Sequence, residues 1–553
     1  MPAGRVYLET FGCQMNELDS ELVRGRLASL GYRFTPDPAE ADVVLYNTCS
    51  VREQAEQKVW SRLGDLKTRK AERPETVVGV LGCMAERDGE DLIKRMPVVD
   101  ILCGPGELDK LPELIDNALR TRLSLRAERS ASQVALQGST SRRSATLAAA
   151  QDDLELLDLS RAISPTDHSG SAYVRITRGC NKFCTYCVVP FTRGAEVHRP
   201  PDHIVEECKR LADAGVIEVT LLGQTVNHYR YEDGAAVTVN GMLQPQKGRI
   251  YKGASADGRR SDAFAGERVT TFADLLRRIH DEVPSIKRLR FVTSYPRDFG
   301  DDVLEVMRDH PRICRYLHVP AQSGSDRMLK MMNRGYTVAE YDEFIARARH
   351  YLDQPELGRP LMISGDIIVG FPTETDEDFE ATKALLQRSR YKNCFIFKYS
   401  PRPGTVAYDR IPDDVPDEVK RRRNNELLAL QTGISEEIGR AQIGREFEVY
   451  VEGPSRRAKK QAGLKKSSLR NKANHTISLT VSGREPGEAA DSHGAIASID
   501  ADGPVQLSGR TDGDQIVFFD TPEGRSPADF IGRLVRVRID AAQGMSLAGS
   551  LIG

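Results

Sequence analysis

Apolar runs alternate with amphipathic stretches along the N-terminal part of the chain. Each run is rich in Val, Ile and Leu, which is typical of a parallel strand buried on both faces. Between the runs apolar residues recur at helical spacing, as at Leu22, Val23, Leu27 and Leu30. This alternation predicts a parallel α/β sheet with right-handed crossovers. The four predicted strands cover residues 5–12, 41–48, 76–82 and 98–104.

The central part of the chain repeats the alternation with six further strands. Six successive strand–helix units suit a barrel or an open barrel, such as a partial (β/α)6 barrel. Short strands after a long charged helix predict a small C-terminal β-barrel. The predicted strands cover residues 172–177, 216–223, 288–294, 315–320, 364–370 and 394–400, and then 446–453, 515–520 and 534–542.

The predicted fold class is α/β, in three parts joined by connectors. The connectors are a small, polar, aperiodic stretch, which predicts a flexible linker, and one charged helix. The predicted divisions are an N-terminal parallel α/β sheet domain at 4–122, the flexible linker at 123–168, the partial barrel at 169–410 with an insertion at 231–268, the connecting helix at 411–442, and the small β-barrel at 443–553 with a basic insertion at 454–500.

Composition narrows the class of protein. The 553 residues carry a net charge of −2, with 40% hydrophobic and 29% charged residues, as in soluble globular domains. No apolar run is long enough for a membrane span and no leader precedes the first strand, so we expect a cytoplasmic protein without membrane contact. Because the net charge is near zero, nucleic-acid binding would need a local basic surface. The stretch 454–474 is the candidate for that surface. The alternative is that this stretch is only a solvated insertion.

Three cysteines follow three successive predicted strands of the first sheet. Ten cysteines in a chain expected in a reducing compartment favour metal binding or catalysis over disulfides. Because parallel strands open their carboxyl ends on one edge, we expect Cys13, Cys49 and Cys83 to converge there. Asn16 and Asn47 are expected to donate hydrogen bonds to bound sulfur atoms. The alternative is three ordinary buried thiols.

A second cysteine triad has the spacing CxxxCxxC after the first strand of the barrel. Thiolates are soft ligands for iron–sulfur clusters, and Cys180, Cys184 and Cys187 can hold three irons of a [4Fe–4S] cluster. The fourth iron is then open to the amino and carboxylate groups of S-adenosylmethionine (SAM). The alternative is a zinc site completed by a distant ligand such as His198.

The motif around the second triad resembles the radical-SAM methylthiotransferase family, most closely its tRNA (MiaB-type) branch. An aromatic, Tyr186, precedes the last cysteine of "TRGCNKFCTYCVVPFTRGAEVHRP" as in that family. The resemblance extends to "FGCQMNELDS", "NTCSVREQAEQK", "LGCMAER", "LLGQTVNHY", "LHVPAQSGSDRMLKMMNRGYT", "DIIVGFPTETDEDFE" and "GRTDGDQIVFF". It implies an N-terminal methylthiotransferase domain, a radical-SAM barrel and a C-terminal TRAM domain.

The resemblance also implies cofactors and ligands. Cys13, Cys49 and Cys83 would hold an auxiliary [4Fe–4S] cluster and the second triad the SAM-binding [4Fe–4S] cluster, whereas Cys103 matches no family ligand and is expected to be structural. No conventional acid–base pair stands out, so no catalytic residue is predicted beyond the cluster ligands. The loops at the strand ends are expected to contact SAM through Tyr186, Gln224, Asn227, Thr293, Ser294, Gln322, Ser323, Asp366, Gly370 and Phe371.

The function that the resemblance implies is SAM-dependent radical insertion of a methylthio group at the adenine 2-position of N6-isopentenyladenosine, next to a tRNA anticodon. Expected partners are the tRNA anticodon loop, an electron donor such as flavodoxin or ferredoxin, and a sulfur source. The alternatives within the class are a methylthiotransferase acting on threonylcarbamoyl-adenosine in tRNA or on an aspartate of a ribosomal protein. The alternative from another class is a non-catalytic Fe–S RNA-binding protein.

Overall fold

The computed structural model describes residues 4–50, 53–124, 132–136, 154–161, 163, 170–233, 238–239, 242–243, 269–461 and 503–552. Its three main β systems are a six-stranded parallel sheet, an incomplete barrel built from two three-stranded parallel sheets, and a closed five-stranded barrel. The expected α/β fold class and its three parts are confirmed. The proposed domain limits stay predictions.

The N-terminal sheet has the strand order β2-β1-β3-β4-β5-β6. The four predicted strands form its centre, and two short strands that the sequence pattern did not reveal form its edges. The strands are β1 (Arg5–Phe11), β2 (Arg33–Phe34), β3 (Val43–Thr48), β4 (Val77–Gly82), β5 (Ile101–Cys103) and β6 (Gln133–Ala135).

Helices cover both faces of this sheet, which explains the continuous apolar runs. Along β3, Val43 and Leu45 pack into one hydrophobic core, and Val44 and Tyr46 pack into the core on the opposite face. Strands with both faces buried have no polar side, so they lack period-two alternation. The helices are Gln14–Ser29, Glu53–Glu72, Cys83–Arg95 and Leu111–Ser124.

Part of the predicted flexible linker at 123–168 is ordered, and for these residues the prediction is wrong. Residues 133–135 form β6, which pairs in parallel with β5, and residues 154–159 are helical. Leu154 and Leu157 join a core shared by the first sheet and the barrel, which includes Leu222 and Val292. These short pieces are held by tertiary contacts, so their own sequences carry little periodicity.

The central barrel consists of six parallel strands, in the orders β15-β10-β7 and β16-β17-β18. A parallel bridge between Leu289 and Ile313 joins the two halves. The strands in this region are β7 (Ser171–Arg175), β8 (Thr177–Arg178), β9 (Val197–His198), β10 (Glu218–Leu222), β11 (Arg230–Glu232), β12 (Thr238–Val239), β13 (Met242–Leu243), β14 (Val269–Thr271), β15 (Arg288–Phe291), β16 (Tyr316–His318), β17 (Met362–Val369) and β18 (Asn393–Lys398).

Helices surround the barrel and one long helix leads out of it. Antiparallel pairing of β11 with β14 closes the base of the predicted insertion 231–268, most of which lies outside the described residues. The helices are Val189–Thr192, Pro201–Asp213, Phe272–Glu282, Asp301–Asp309, Asp326–Met331, Val338–Leu352, Asp376–Ser389 and Val406–Arg410, followed by the long helix Asp417–Arg440.

The C-terminal barrel closes in the order β19-β20-β21-β23-β22. The sequence pattern missed β20 and β23, each of which contains a glycine whose added Cβ would collide with the neighbouring strand's backbone. After β19 the chain forms helix Arg456–Gln461, and the rest of the predicted basic insertion 454–500 lies outside the described residues. The strands are β19 (Glu446–Pro454), β20 (Gln506–Arg510), β21 (Ile516–Asp520), β22 (Leu534–Gln543) and β23 (Ser546–Leu551).

The C-terminal barrel is attached to the central barrel by charged side chains. Arg288 donates a hydrogen bond to the carbonyl of Arg510 at 2.7 Å, and Lys392 pairs with Asp514 at 2.7 Å. In the part of the chain that the structure describes, no helix is both long and apolar enough to cross a membrane.

Candidate active site

The first cysteine triad lies at the carboxyl edge of the N-terminal sheet. Strands β1, β3 and β4 end in register, so Cys13, Cys49 and Cys83 follow three neighbouring strand ends. Cys49 and Cys83 are buried and Cys13 is half-buried, and none forms a disulfide. A Cβ added to Gly12 would lie 2.8 Å from the Cβ of Cys49. The chain therefore leaves room beside the thiols that any larger residue would fill.

Burial disfavours negative charge on these thiols unless a positive group is present. It raises the pKa of Cys83, and the nearby Cys13 and Asp19 raise it further, whereas the guanidinium of Arg193 lowers it. Three thiols that lie close together in the protein therefore need a nearby cation if they are to be stable as thiolates. A cluster of iron with soft sulfur ligands satisfies that demand.

Asn16 and Asn47 do not follow their predicted role as donors to bound sulfur. The amide nitrogen of Asn16 donates to Oδ1 of Asn47 at 3.0 Å and to the carbonyl of Thr48 at 3.1 Å. Asn47 donates to the carbonyl of Asn16 and to Ser20, both at 2.9 Å. The thiol of Cys13 instead donates to Oδ1 of Asn16 at 3.3 Å. The two amides thus lock the strand ends that carry the thiols.

A buried ionic network ties the first triad to the central barrel. Asp19, on the helix after Cys13, accepts hydrogen bonds from Arg175 and Arg193 at 2.9 Å each. Arg175 also pairs with Asp158 at 2.7 Å. Burial alone would raise the pKa of Asp158, but the surrounding arginines, Arg175 foremost, hold it well below its ordinary value. The network keeps charged groups in place where the two parts meet.

The second triad lies on the loop between β8 and helix Val189–Thr192. The backbone N–H of Cys187 donates to the carbonyl of Cys184 at 3.0 Å, which folds the loop back on itself. Arg334 donates to the sulfur of Cys184 at 3.4 Å. Burial raises the pKa of Cys180 to about 12, with Glu196 and Cys184 adding to it. This second set of buried thiols also calls for a positive partner.

Both triads border one contact between the N-terminal sheet and the barrel. Helix Cys83–Arg95 begins at a member of the first triad and packs against helix Val189–Thr192, which begins two residues after a member of the second. Arg402, after β18, donates to the carbonyl of Ser50, the residue that follows Cys49. In the described part of the chain no hydrogen-bond partner reaches the buried hydroxyls of Ser50 and Thr192. Sulfur donors, the space at Gly12 and these hydroxyls fit a sulfide-rich group.

The remaining predicted site residues lie around the carboxyl ends of the barrel strands and in the cysteine loop. The side chains of several of them already form hydrogen bonds within the protein. The amide of Asn227 both donates to the carbonyl and accepts from the N–H of Tyr295, at 2.8 Å. Ser323 contacts Thr382 at 3.2 Å. These two residues tie loops and helices together, and their predicted contact with SAM stays a prediction.

Two further predicted residues have strained backbones at the strand ends. Thr293 and Gln322 have φ values of +67° and +72°, in a region that side chains other than glycine rarely adopt. The N–H of Gln322 donates to the carbonyl of Asp366 at 2.8 Å. Ser294 is buried, and no hydrogen-bond partner for its hydroxyl lies among the described residues. Tertiary contacts therefore hold these loops in a fixed shape.

The last members of the predicted set form an aromatic corner and a polar pair. Phe371 is fully buried, with its ring centroid 6.5 Å from that of Tyr186. Gly370, with φ of +68°, lies against Lys420 without space for a side chain. Asp366 lies 3.4 Å from Nε2 of His318. Gln224 is half-buried in the loop after β10.

Arginines and a carboxylate–histidine group were missed by sequence reasoning. Arg193, Arg334 and Arg402 contact the cysteine regions, yet nothing in their local sequence distinguishes them from surface arginines. The proposed zinc ligand His198 lies instead in a group with Glu196 and His228, whose candidate ligand atoms are within 4.8 Å of one another. No cysteine belongs to that group.

Comparisons with known proteins place this geometry in a family. Residues 5–104 match the model described as Uncharacterized protein family UPF0004, and residues 174–386 match the Radical SAM superfamily. A tRNA-2-methylthio-N(6)-dimethylallyladenosine synthase of Rhodopirellula baltica is 42% identical over 98% of this chain and 95% of its own. The chain belongs to the tRNA-2-methylthio-N(6)-dimethylallyladenosine synthase family.

Other members of this synthase family match in the same way. The enzyme of Aeromonas salmonicida is 41% identical over 82% of each chain. Among solved structures, the radical S-adenosylmethionine methyltransferase TsrM of Kitasatospora setae has a TM-score of 0.45 and 13% identity, covering 81% of this chain and 78% of that one. Membership in the synthase family makes the chain a radical-SAM enzyme that transfers a sulfur-containing group.

Proposed function

We propose that this enzyme inserts a methylthio group at the adenine 2-position of N6-isopentenyladenosine beside the anticodon of tRNA. The observation that carries the proposal is the pair of cysteine triads bordering one contact between the N-terminal sheet and the barrel. The substrate follows the name of the relatives, tRNA-2-methylthio-N(6)-dimethylallyladenosine synthase, in which dimethylallyl denotes the same five-carbon group. Its cofactors are two [4Fe–4S] clusters and SAM.

The two triads have separate roles in this proposal. Cys180, Cys184 and Cys187 would hold the cluster that binds SAM, because they lie at the end of the first barrel strand. Cys13, Cys49 and Cys83 would hold the auxiliary cluster. When bound, these groups supply the electron that cleaves SAM and the site that carries the transferred sulfur.

The side chains around the triads orient and shield them. Arg334 donates to the sulfur of Cys184, and Arg193 brings a positive charge to Cys83 while Asp19 holds it in position. Hydrogen bonds and charges near cluster sulfurs tune both affinity and reduction potential. The surrounding core excludes water. A reactive carbon radical requires this exclusion of water.

The partners follow from the reaction. The anticodon loop of tRNA is the substrate, and a reductant such as flavodoxin or ferredoxin and a sulfur source are needed in each cycle. We assign RNA contact to the C-terminal barrel, which fits the TRAM domain expected there, and a cytoplasmic location. The four cationic residues of helix Arg456–Gln461 suit phosphate contact. No observation favours the threonylcarbamoyl or aspartyl substrates, and the two triads disfavour a non-catalytic role.

Cysteine replacement tests the assignment of the two triads. The variant with Cys13, Cys49 and Cys83 all changed to Ala should still cleave SAM to 5′-deoxyadenosine after anaerobic reconstitution. It should form no methylthio nucleoside, as measured by mass spectrometry of digested tRNA. Cys180→Ala should lose both reactions.

Cys103→Ala is the matched control, because Cys103 is also a buried thiol at the carboxyl end of a strand of the same sheet. Its sulfur donates to the carbonyl of Glu107 at 3.1 Å. This variant should retain both reactions. Methylthiolation by the triple variant would refute the auxiliary-cluster role.

A further inference from the structure

Two exposed phenylalanines lie beside the second cysteine triad. Phe183 and Phe191 have 42% and 41% of their surfaces exposed, although large aromatic residues are normally buried. Their ring centroids are 6.3 Å apart, with the planes inclined by 71°. Together they form an aromatic pair, here called the Phe183–Phe191 pair, on the outside of the protein.

The pair lies at the edge of the proposed active site. Phe183 directly precedes Cys184, and Phe191 lies on helix Val189–Thr192, which packs against helix Cys83–Arg95. A substrate that enters between the two triads therefore approaches this pair.

The structure holds Phe183 in an unusual conformation. Its φ is +48°, a backbone conformation that is strained for a residue with a side chain. Asn333 donates to the carbonyl of Phe183 at 2.9 Å, and the N–H of Thr185 donates to the carbonyl of Met332 at 3.1 Å. Hydrogen bonds between the turn that follows helix Asp326–Met331 and the cysteine loop thus keep the strained residue in place.

Charge around the pair fits a polyanion. Lys330, an exposed cation, lies three residues before Asn333, whose N–H donates to the carbonyl of Lys330 at 3.1 Å. Arg327, on the same helix, is 47% exposed but is already paired with Asp378, so Lys330 is the cation that can pair with a phosphate. An apolar aromatic surface with a cation beside it is the arrangement that binds single-stranded nucleic acid, where bases stack and phosphates pair with the cation.

We propose that the Phe183–Phe191 pair is a stacking platform for an unpaired base of the anticodon loop adjacent to the target adenosine. The inference rests on the proposed function and names a contact of the same substrate. An adenosine that leaves the loop to reach the proposed active site between the two triads deprives its neighbour of a stacking partner. An aromatic ring at the entrance replaces that partner and lowers the cost of opening the loop.

Phe191→Leu tests the platform, because leucine keeps an apolar side chain but has no ring face. The reconstituted full-length enzyme would be titrated into an anticodon stem–loop RNA with 2-aminopurine beside the target position, at fixed salt concentration. We expect about tenfold weaker binding than the unchanged enzyme, since stacking on one aromatic contributes on that scale. The 2-aminopurine fluorescence change on binding should largely disappear.

Phe191→Trp and Leu357→Ala are the comparison variants. Tryptophan restores a ring face and should restore both affinity and fluorescence change. Leu357 is 64% exposed and precedes β17, so it lies toward the opposite end of the barrel, and its replacement should leave both unchanged. Iron content of each variant reports whether its clusters are loaded.

Several results would overturn the platform. One is iron-loaded Phe191→Leu that binds the RNA as tightly as the unchanged enzyme, with the same fluorescence change. Another is retained RNA binding together with slower reduction by flavodoxin, which would assign the pair to a protein partner. In both cases the proposed function is still supported if the unchanged enzyme methylthiolates the RNA. If the unchanged enzyme neither binds nor modifies the RNA, both the proposed function and the platform are refuted.

Discussion

Gly12 and Gly82 show how single residues shape the first cysteine triad. A Cβ at Gly12 would lie 2.7 Å from Oδ1 of Asn16, and one at Gly82 would lie 2.5 Å from Oδ1 of Asn47. Gly82 also has φ of +87°, which glycine adopts without strain. The interlocked amides and the thiols share this small volume because the glycines leave it open.

Gly12→Ala should prevent assembly of the auxiliary cluster that we propose at the first cysteine triad. The new methyl group would meet the side chains of Asn16 and Cys49 at under 3.0 Å, so Cys49 would have to move away from its partner thiols. We expect the variant to lose the iron of one cluster while keeping SAM cleavage, measured by iron analysis and 5′-deoxyadenosine formation. Full iron loading in Gly12→Ala would contradict this account.

Gly64→Ala is the control for this substitution. Gly64 lies inside helix Glu53–Glu72, and no atom lies within 4 Å of an added Cβ. Replacing glycine by alanine in a helix interior stabilises by up to about 1 kcal/mol. This variant should bind iron normally.

Three barrel helices begin with the same device, a reciprocal hydrogen-bond pair called a capping box. A threonine before the helix accepts from the N–H of an acidic residue three positions later, and the acid accepts from the N–H of the threonine. The pairs are Thr271 with Asp274, Thr337 with Glu340, and Thr375 with Asp378. The device fixes where each helix starts, and hence where the preceding loop at the active-site end stops.

Asp378→Ala should loosen helix Asp376–Ser389 in a pH-dependent way. Burial would raise the pKa of Asp378, but hydrogen bonds from Arg327, Ser325 and Thr375 outweigh it and lower the pKa from 3.8 to about 2. A lowered carboxyl pKa contributes stability that is present above pH 3.8 and is lost as the pH falls toward 2. Loss of the cap should cost about 1–2 kcal/mol at neutral pH.

Hydrogen–deuterium exchange of this helix measures the effect. The variant's amides should exchange about tenfold faster than those of the unchanged protein at neutral pH, and the difference should shrink as the pH falls through the range from 3.8 to about 2. Gln387→Ala, at an exposed position of the same helix, should not change exchange. Equal exchange in Asp378→Ala and the unchanged protein would show that the cap contributes nothing.

The whole molecule depends on charged contacts between its parts. Asp19 of the N-terminal sheet domain and Asp158 of the segment 154–161 both pair with Arg175 of the barrel, and all three are buried. Between the central barrel and the C-terminal barrel, Arg290 donates to the carbonyl of Asp512 at 3.1 Å. Burying a charged side chain raises the free energy of the folded state unless the charge is paired. The parts therefore cannot separate without exposing these charges to solvent or leaving some of them buried and unpaired.

Asp19→Asn should weaken the attachment of the N-terminal domain. The change keeps the shape but leaves Arg175 and Arg193 with less negative charge, and loss of one partner of a buried pair costs about 3–5 kcal/mol. We expect lower thermal stability and a separate unfolding transition for the N-terminal domain, seen by calorimetry. Asp91→Asn, whose side chain is 83% exposed, is the matched control and should unfold as the unchanged protein does. A single transition at the original temperature in Asp19→Asn would show that the network does not join the domains.

The sequence by itself determined the central strands of the sheet, all six strands of the barrel and the order of the three parts. Continuous apolar runs and helical spacing are local properties, and a strand buried on both faces has to carry them. The position of each cysteine beside a strand end is equally local. The pattern could not reveal β2, β6, β20 or β23, because they are short or broken by glycine and depend on a neighbouring strand.

Only the tertiary structure decided how the site is completed. Arg175 and Asp19 are 156 residues apart in sequence, and no local pattern relates them. The same holds for Arg334 at Cys184 and for the engaged side chains of Asn227 and Ser323. An apolar side chain is stabilised by burial against any apolar neighbour, so the periodicity of apolar residues predicts which of them are buried. A buried charge or amide needs one particular partner at one distance, and only the folded chain supplies it.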